Sequence, residues 1–535
     1  MKKNNRLILL VTPFFFGIIY FYRKFFFSNF DLVSGDQGDG RFVALVTNHW
    51  FRVFTGESNW QSLDVFFPTD QTIGLSDLKI LLAIPHLIFR IFGFDIFLSF
   101  TFTTMIFTFI GYISLHILLT RYFRIQFLIS IFASFLFTFS SPNVIALSSH
   151  PQLFTIYLTP IILIGFAKIL KNSNTMLNTI LTFLLLGLIF STAVYIFIFI
   201  ILSLLIFTFL YGILEIKSTS IRVYLELLDF RSILFALSSL LIGMSPGLWV
   251  YLPTRNTQGG RDISEILEYA SSPINILNVG DNNLIWSKAL EYFNYLLNIN
   301  LGSDELSLNP TPFLILFVSI ISLLVYKMNK LPTILLLTAG FNLILISKFG
   351  KFAPWELLHQ LRGLDSIRAI SRFNLLTNLI LIIALAVATN IYLKRISFNW
   401  FIIFPFAAVL LLEQIQIENN FSISRKEQSD IIELAKAYPI ECDIFYINSY
   451  LTDKPQAFIQ NDAFLVSQIS GLPTLNGYSG VYPPGWNLNS VGDPSYIDRI
   501  REYASRQNIE GTTCELNISE RRWYITENTY LEGLS

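Results

Sequence analysis

The sequence predicts a polytopic α-helical membrane protein of about eleven transmembrane helices, followed by a small α/β domain outside the membrane. Three observations predict it. Of 535 residues, 53% are hydrophobic and only 14% charged, where a soluble globule carries about 25% charged residues. Apolar runs of the length a bilayer demands, roughly 17–25 residues, recur as far as position 415. From about Gln416 onward the composition turns to that of a soluble domain. The formal net charge is zero, which leaves no basic footprint for nucleic acid.

The first span, about 7–27, follows the charged start Met1-Lys2-Lys3-Asn4-Asn5-Arg6. No small-x-small cleavage site follows Phe14-Phe15-Phe16, so this run reads as an uncleaved anchor. Further spans fall at about 95–119, 126–146, 153–169, 175–192, 194–214, 232–252, 311–327, 331–347, 373–393 and 398–415. Ser191-Thr192 divides one very long apolar run into two helices. The stretch 78–92 is short and interrupted by Pro85-His86, and reads as an interfacial or re-entrant helix. The chain thus divides into a membrane domain, 1–415, and a soluble domain, 416–535. In the latter, 443–448 and 522–526 read as strands, and 424–438 and 495–507 as amphipathic helices. Its Cys442 and Cys514 are either two buried thiols or a disulfide closing a loop of roughly 70 residues, worth ~4 kcal/mol.

Lys and Arg in the short connections set the orientation. Lys2, Lys3 and Arg6, Arg121 and Arg124, Lys168 and Lys171, Lys217 and Arg222, Lys327 and Lys330, and Lys394 and Arg395 fall on alternate loops. That side is read as cytoplasmic, with the chain in a plasma (inner) membrane. The loops 28–94, 253–310 and 348–372, and the C-terminal domain, then lie outside. Arg23 and Lys24, at the outer end of the first span, run against the rule. The outer loops hold most acidic residues of the membrane domain, among them Asp64, Asp77, Asp262, Asp304, Glu305 and Asp365. Long polar loops on one face point to work done at that face. The spans are nearly free of charge, which argues against a transporter or flippase of a lipid-linked glycan, the alternative reading.

Four constellations carry chemistry. In Ser34-Gly35-Asp36-Gln37-Gly38-Asp39-Gly40-Arg41, one of two carboxylates suits a general base and Arg41 an anion ligand. A helix-capping turn explains one Asp but not both. A divalent metal stays open, though two carboxylates alone are a weak metal signature. His150-Pro151-Gln152 breaks two helices at the same interface, as a substrate contact or as a plain turn with Pro at N1. Arg368 and Arg372 stand four apart and would share one helix face at the outer start of the tenth span. Paired guanidiniums at a helix N-terminus suit a phosphate, and snorkelling is the bland alternative. The stretch from Leu472 to Trp486, with Asn476-Gly477-Tyr478-Ser479-Gly480, mixes aromatics with amides. It forms either a sugar-stacking surface or a rigid Pro-Pro turn packed on the membrane domain.

These residues resemble the GT-C superfamily of integral-membrane glycosyltransferases, in a poorly characterised bacterial branch. An N-terminal span leads to an outer loop opening with Gly35-Asp36-Gln37-Gly38-Asp39-Gly40-Arg41. Then come Phe66-Phe67-Pro68, Ser76-Asp77, His150-Pro151-Gln152, Arg368-Ala369-Ile370-Ser371-Arg372-Phe373 and Asn476-Gly477-Tyr478-Ser479-Gly480, in that order. The resemblance implies transfer of a sugar from a polyprenyl-phosphate donor to a glycan, lipid or protein acceptor at the outer leaflet, by an inverting displacement. It implies Asp36 or Asp39 as the catalytic carboxylate. Arg41, Arg368 and Arg372 would bind the donor phosphate, and Asp77, His150, Gln152, Asn476 and Tyr478 the substrates. No Walker A or Rossmann glycine pattern occurs, and a polyprenyl-phosphate leaving group requires no nucleotide site.

Overall fold

The computed structural model describes residues 3–171, 175–215, 230–297, 307–395, 400–449 and 454–526. Lys217, Arg222, Asp304 and Glu305 lie outside the described residues. Among the described residues, seven helices are long and apolar enough to cross a membrane. They are Asn4–Phe21, Ile96–Tyr122, Phe127–Ser149, Pro151–Leu170, Val194–Leu214, Phe230–Gln258 and Ile370–Leu393. The other expected spans form shorter apolar helices, Met176–Thr192, Pro312–Val325, Leu331–Leu345 and Phe404–Glu413. A helix the length of Pro312–Val325, 14 residues, rises only about 21 Å, against a hydrocarbon core of about 30 Å.

The expected span 126–146 is bent rather than straight. Helix Phe127–Thr138 stops and Ser141–Ser149 begins, with Pro142 in its first turn. Proline cannot donate to the preceding turn. The Thr138 carbonyl, which Pro142 would otherwise meet, accepts from the Tyr157 hydroxyl at 2.5 Å, and the neighbouring Phe137 carbonyl from Asn143 Nδ2 at 2.5 Å and Ser140 Oγ at 3.2 Å. Arg23 and Lys24, which follow the first helix against the charge rule, have partners there. Arg23 donates to the carbonyls of Gln416 and Ile417, and Lys24 to that of Asn419. Both tie the first helix to the segment that follows the last one.

The loop 28–94 is more ordered than the sequence suggested. It holds the helix Asp39–Thr55, whose residues from Gly40 to His49 are all buried. The stretch 78–92 forms the helix Ile80–Ile91, with Ile84, Ile88 and Ile91 exposed along one side.

Strand β1 (Leu32–Val33) pairs antiparallel with β2 (Ile423–Ser424), stitching the loop 28–94 to the C-terminal region. There β3 (Ile444–Asn448), β4 (Thr513–Asn517) and β5 (Arg522–Thr526) form one sheet in the order β3-β4-β5, parallel then antiparallel. Helices Arg425–Lys436 and Tyr496–Arg506 lie where amphipathic periodicity put them. Cys442 and Cys514 form a disulfide that joins the approach to β3 with β4, which settles the choice between bond and free thiols.

Strand β4 and helix Gln456–Ser470 were not foreseen. The helix buries both its apolar residues, such as Phe464 and Leu465, and its polar ones, Gln460, Asn461, Asp462 and Gln468. Because it is covered on all sides, no polar face marks its period.

Candidate active site

The turn 34–41 is built by close backbone approach. Gly35 has φ +106°, and a Cβ on Gly40 would lie 2.5 Å from the Gly35 Cα, so both positions exclude a side chain. Asp36 Oδ1 accepts from the backbone N–H groups of Gly38 (3.1 Å) and Gly40 (2.8 Å), which closes the turn ahead of the Asp39–Thr55 helix. Asp39 begins that helix, where its charge meets the positive end of the helix dipole. The two carboxylates therefore have separate tasks: Asp36 holds the turn and Asp39 faces outward.

Asp39 is gripped from two sides. Tyr478 donates its hydroxyl to Oδ1 at 2.6 Å, and His150 Nδ1 lies 3.1 Å from Oδ2. Its side chain stays about a third exposed, at 35%, onto a cavity of about 800 Å³. Burial would raise its pKa, but His150, Tyr478 and the charge of Arg372 outweigh burial and hold the carboxyl well below the usual range. Asp36 goes the other way. Burial, with the neighbouring Asp39 charge adding to it, pushes Asp36 up to about 6 against the N–H bond from Gly40.

The cavity joins two kinds of wall. Phe190, Val194, Phe197, Ile198, Met244 and Leu248, from the Thr175–Thr192, Val194–Glu215 and Phe230–Gln258 helices, make an apolar side. The other side carries Asp39, Asp77, Lys79, Gln152, Arg368, Arg372 and Tyr478. Asp77 Oδ1 accepts from the N–H of Val194 at 3.3 Å, at the start of the Val194–Glu215 helix. Gln152 turns its amide to the cavity wall, and its buried Oε1 has no hydrogen-bond partner. The Arg372 guanidinium lies over the Tyr195 ring (5.3 Å) and that of Arg368 over Tyr269 (5.3 Å). Arg368 is also 3.7 Å from Glu265.

Three expectations need correction. Arg368 and Arg372 do not share an α-helical face. The α-helix begins only at Asn374, after a 3₁₀ turn Ile370–Phe373, and the Arg368 N–H is drawn to the Tyr195 hydroxyl at 3.0 Å. The two guanidiniums reach one cavity from an irregular segment instead. Arg41 is turned away from the cavity, 1% exposed, in a buried ion pair with Asp462. Asn476 is also fully buried behind the site. It accepts from the Ile447 N–H (2.7 Å) and donates to Gln460 (3.0 Å) and the Tyr496 hydroxyl (2.9 Å), joining β3 to two helices.

Sequence reasoning missed Lys79 and Tyr195 on the cavity wall, where Tyr482 of the 472–486 stretch also lies. Lys79 is 1% exposed, donates to Ser76 Oγ at 2.6 Å and faces the Phe42 ring. Burial lowers its pKa to about 8 against the pull of Asp77 and Asp39. A lysine two residues from Asp77 in a polar loop gave no sequence cue that it would be buried. The Arg255–Asp365 pair (2.6 Å for both bonds), bridging the end of one long helix to the 362–368 segment, was equally silent.

Asp36 Oδ1 is occupied by two N–H donors and both Asp39 oxygens by Tyr478 and His150. Among the described residues no group of three or more His, Cys, Asp or Glu side chains could hold a metal.

No protein-family model and no curated protein matches this sequence. Solved structures do. The Archaeoglobus fulgidus oligosaccharyltransferase tethered with an acceptor peptide aligns over 96% of this chain and 69% of its own, at 12% identity and TM-score 0.51. The A. fulgidus oligosaccharyltransferase AglB with an inhibitory peptide and a dolichol-phosphate aligns over 95% and 69%, at 10% identity and TM-score 0.53. The mycobacterial arabinofuranosyltransferase AftD aligns over 96% of this chain but only 35% of its own, at 13% identity and TM-score 0.50. At these identities the likeness is one of fold. The chain shares the fold of these membrane glycosyltransferases.

Proposed function

We propose that this chain is a GT-C-type glycosyltransferase that moves a sugar, most simply a hexose, from a polyprenyl-phosphate donor to an acceptor hydroxyl outside the membrane. One observation carries the reading. A single cavity joins an apolar wall from three helices to two arginines and an ionised Asp39 about a third exposed. The apolar side suits a lipid chain entering from the bilayer, and Arg368 and Arg372 suit its phosphate. AglB, one of the structural neighbours, was solved with a dolichol-phosphate, which supports that class of donor.

In the reaction the acceptor oxygen bonds to the anomeric carbon as the carbon–oxygen bond to the lipid phosphate breaks. The bonding pair passes to the phosphate oxygen, whose charge Arg368 and Arg372 neutralise with Lys79 nearby. Asp39 takes the acceptor proton. Direct displacement inverts the anomeric centre. The choice of Asp39 over Asp36 follows from geometry, since Asp39 lines the cavity and Asp36 closes a turn. The proposed topology has about eleven spans, a cytoplasmic N-terminus and the C-terminal unit outside, where the Cys442–Cys514 bond would persist.

The test is sugar transfer in membranes supplied with a panel of radiolabelled polyprenyl-phosphate sugars. Asp39→Asn should cut transfer by about 10²-fold or more, with protein level unchanged. Full activity in Asp39→Asn removes the base assignment.

A further inference from the structure

Tyr482 is a ring with one face covered and one face open. It stacks on Trp486, with centroids 4.9 Å apart and planes 12° apart, and Phe66 meets both rings edge-on. Trp486 and Phe66 are buried, whereas Tyr482 is 38% exposed and lines the cavity. Its backbone is fixed on both sides of the cavity mouth. Gln258 donates to the Tyr482 carbonyl (2.8 Å), Arg261 to that of Gly480 (2.9 Å), and Ser479 to that of Leu75 (2.7 Å). An aromatic face held this firmly loses little freedom when a ligand lies on it. The phenol is within electrostatic reach of both Asp39 and Arg368. Gln152 adds the second observation. Its amide sits on the wall of the same cavity with a buried acceptor oxygen unmatched, two residues after the His150 that grips Asp39. A buried amide oxygen without a partner costs free energy until a ligand supplies a donor.

We propose that the acceptor is a saccharide, its ring laid on the open face of Tyr482 and a hydroxyl donated to Gln152. The proposal rests on the transferase reading, because it assigns the substrate whose proton Asp39 takes. A flat aromatic face beside a side-chain amide matches a sugar ring, which presents C–H bonds on its faces and hydroxyls around its rim. A peptide is read instead by strand-edge pairing or by pockets for alternate side chains. Tyr482 belongs to the C-terminal unit and is tied to the end of the Phe230–Gln258 helix through Gln258.

The experiment is saturation-transfer NMR on the full chain in detergent, with maltotriose, mannotriose, arabinotriose and a hydroxyl-bearing hexapeptide as probes. At least one trisaccharide should bind, with transfer strongest to its ring C–H protons. Tyr482→Ala should weaken that binding about tenfold, as should Tyr482→Leu, which keeps apolar bulk without a flat face, while Tyr482→Phe keeps the platform. Tyr524→Ala, on the exposed edge strand β5, serves as the control that changes nothing. The proposal is overturned if no trisaccharide binds folded protein, if the peptide binds in their place, or if Tyr482→Leu binds as wild type does. Binding is read without catalysis, so the two readings fail separately. Trisaccharide binding by a chain that cleaves no donor sinks the transferase, and donor cleavage without trisaccharide binding sinks the platform alone.

Discussion

Asp36 and Asp39 sit three residues apart in one turn, yet their surroundings push their acidities in opposite directions. Asp36 is raised to about 6 in the fold from 3.8, so the folded chain holds its proton more tightly than the unfolded chain does. Its ionised form costs stability above about pH 6, and that cost is relieved as the pH falls from about 6 to about 4. Asp39 is depressed, so its contribution is present above about pH 4 and lost as the pH falls further. The melting-temperature difference between Asp36→Asn and wild type should therefore move in wild type's favour between about pH 7 and pH 4.5. A constant difference over that range contradicts the raised Asp36. For the reaction, a pKa this low keeps Asp39 ionised throughout neutral pH, so transfer should show no acid limb from it above about pH 4. A pH–rate profile that falls in Asp39→Glu but not in wild type would agree. The sequence pointed to chemistry in this turn, since two carboxylates among three glycines exceed what a cap needs. It did not show which was which, because His150 and Tyr478 reach Asp39 from 111 and 439 residues away in sequence.

Among the elements, the helix Gln456–Ser470 decides where the Asp39–Thr55 helix lies. Asn461 donates to the Gly38 carbonyl (2.8 Å), Asp462 pairs with Arg41, and Gln468 donates to the Leu45 carbonyl (2.8 Å). Nε and Nη2 of Arg41 are buried without a hydrogen-bond partner, so its charge depends on Asp462. Removing one partner of a buried pair costs about 3–5 kcal/mol, whereas replacing both by apolar residues of similar size costs little. Asp462→Ala should thus lower the melting temperature in detergent sharply, and Arg41→Met with Asp462→Leu should recover most of it. An Asp462→Ala protein as stable as wild type would contradict the pair's structural role. Amphipathic and apolar periodicity made the membrane helices and the Arg425–Lys436 and Tyr496–Arg506 helices legible. It failed for Gln456–Ser470 because buried amides and a buried carboxylate broke the apolar pattern. It misplaced Arg368 and Arg372 on a helix because spacing by four resembles a turn, whereas the Tyr195 hydroxyl holds the backbone open there.

For the whole molecule, the cavity exists because parts distant in sequence close on one point. The Asp39–Thr55 helix, the His150 break, the 362–372 segment and the 478–482 loop contribute its polar side, and three helices its apolar side. Composition revealed the membrane class, and ordered short motifs suggested the GT-C fold. The Archaeoglobus fulgidus and mycobacterial structures agree at the level of fold. Helix length alone does not reach eleven spans, because several apolar runs fold into helices too short to cross unaided. The closing contacts were not legible, since hydroxyl, amide and imidazole partners carry no periodic signature.

The most direct test of a lipid-phosphate donor site governed by Asp39 separates binding from turnover. Affinity for a polyprenyl-phosphate sugar and single-turnover release of polyprenyl phosphate are measured on purified wild type, Asp39→Asn and Arg372→Ala. The account predicts that wild type binds and cleaves the donor. Asp39→Asn should bind within a few-fold of wild type yet release about 10²-fold more slowly, and Arg372→Ala should lose affinity about tenfold or more. Equal affinity in Arg372→Ala together with undiminished release by Asp39→Asn would contradict it.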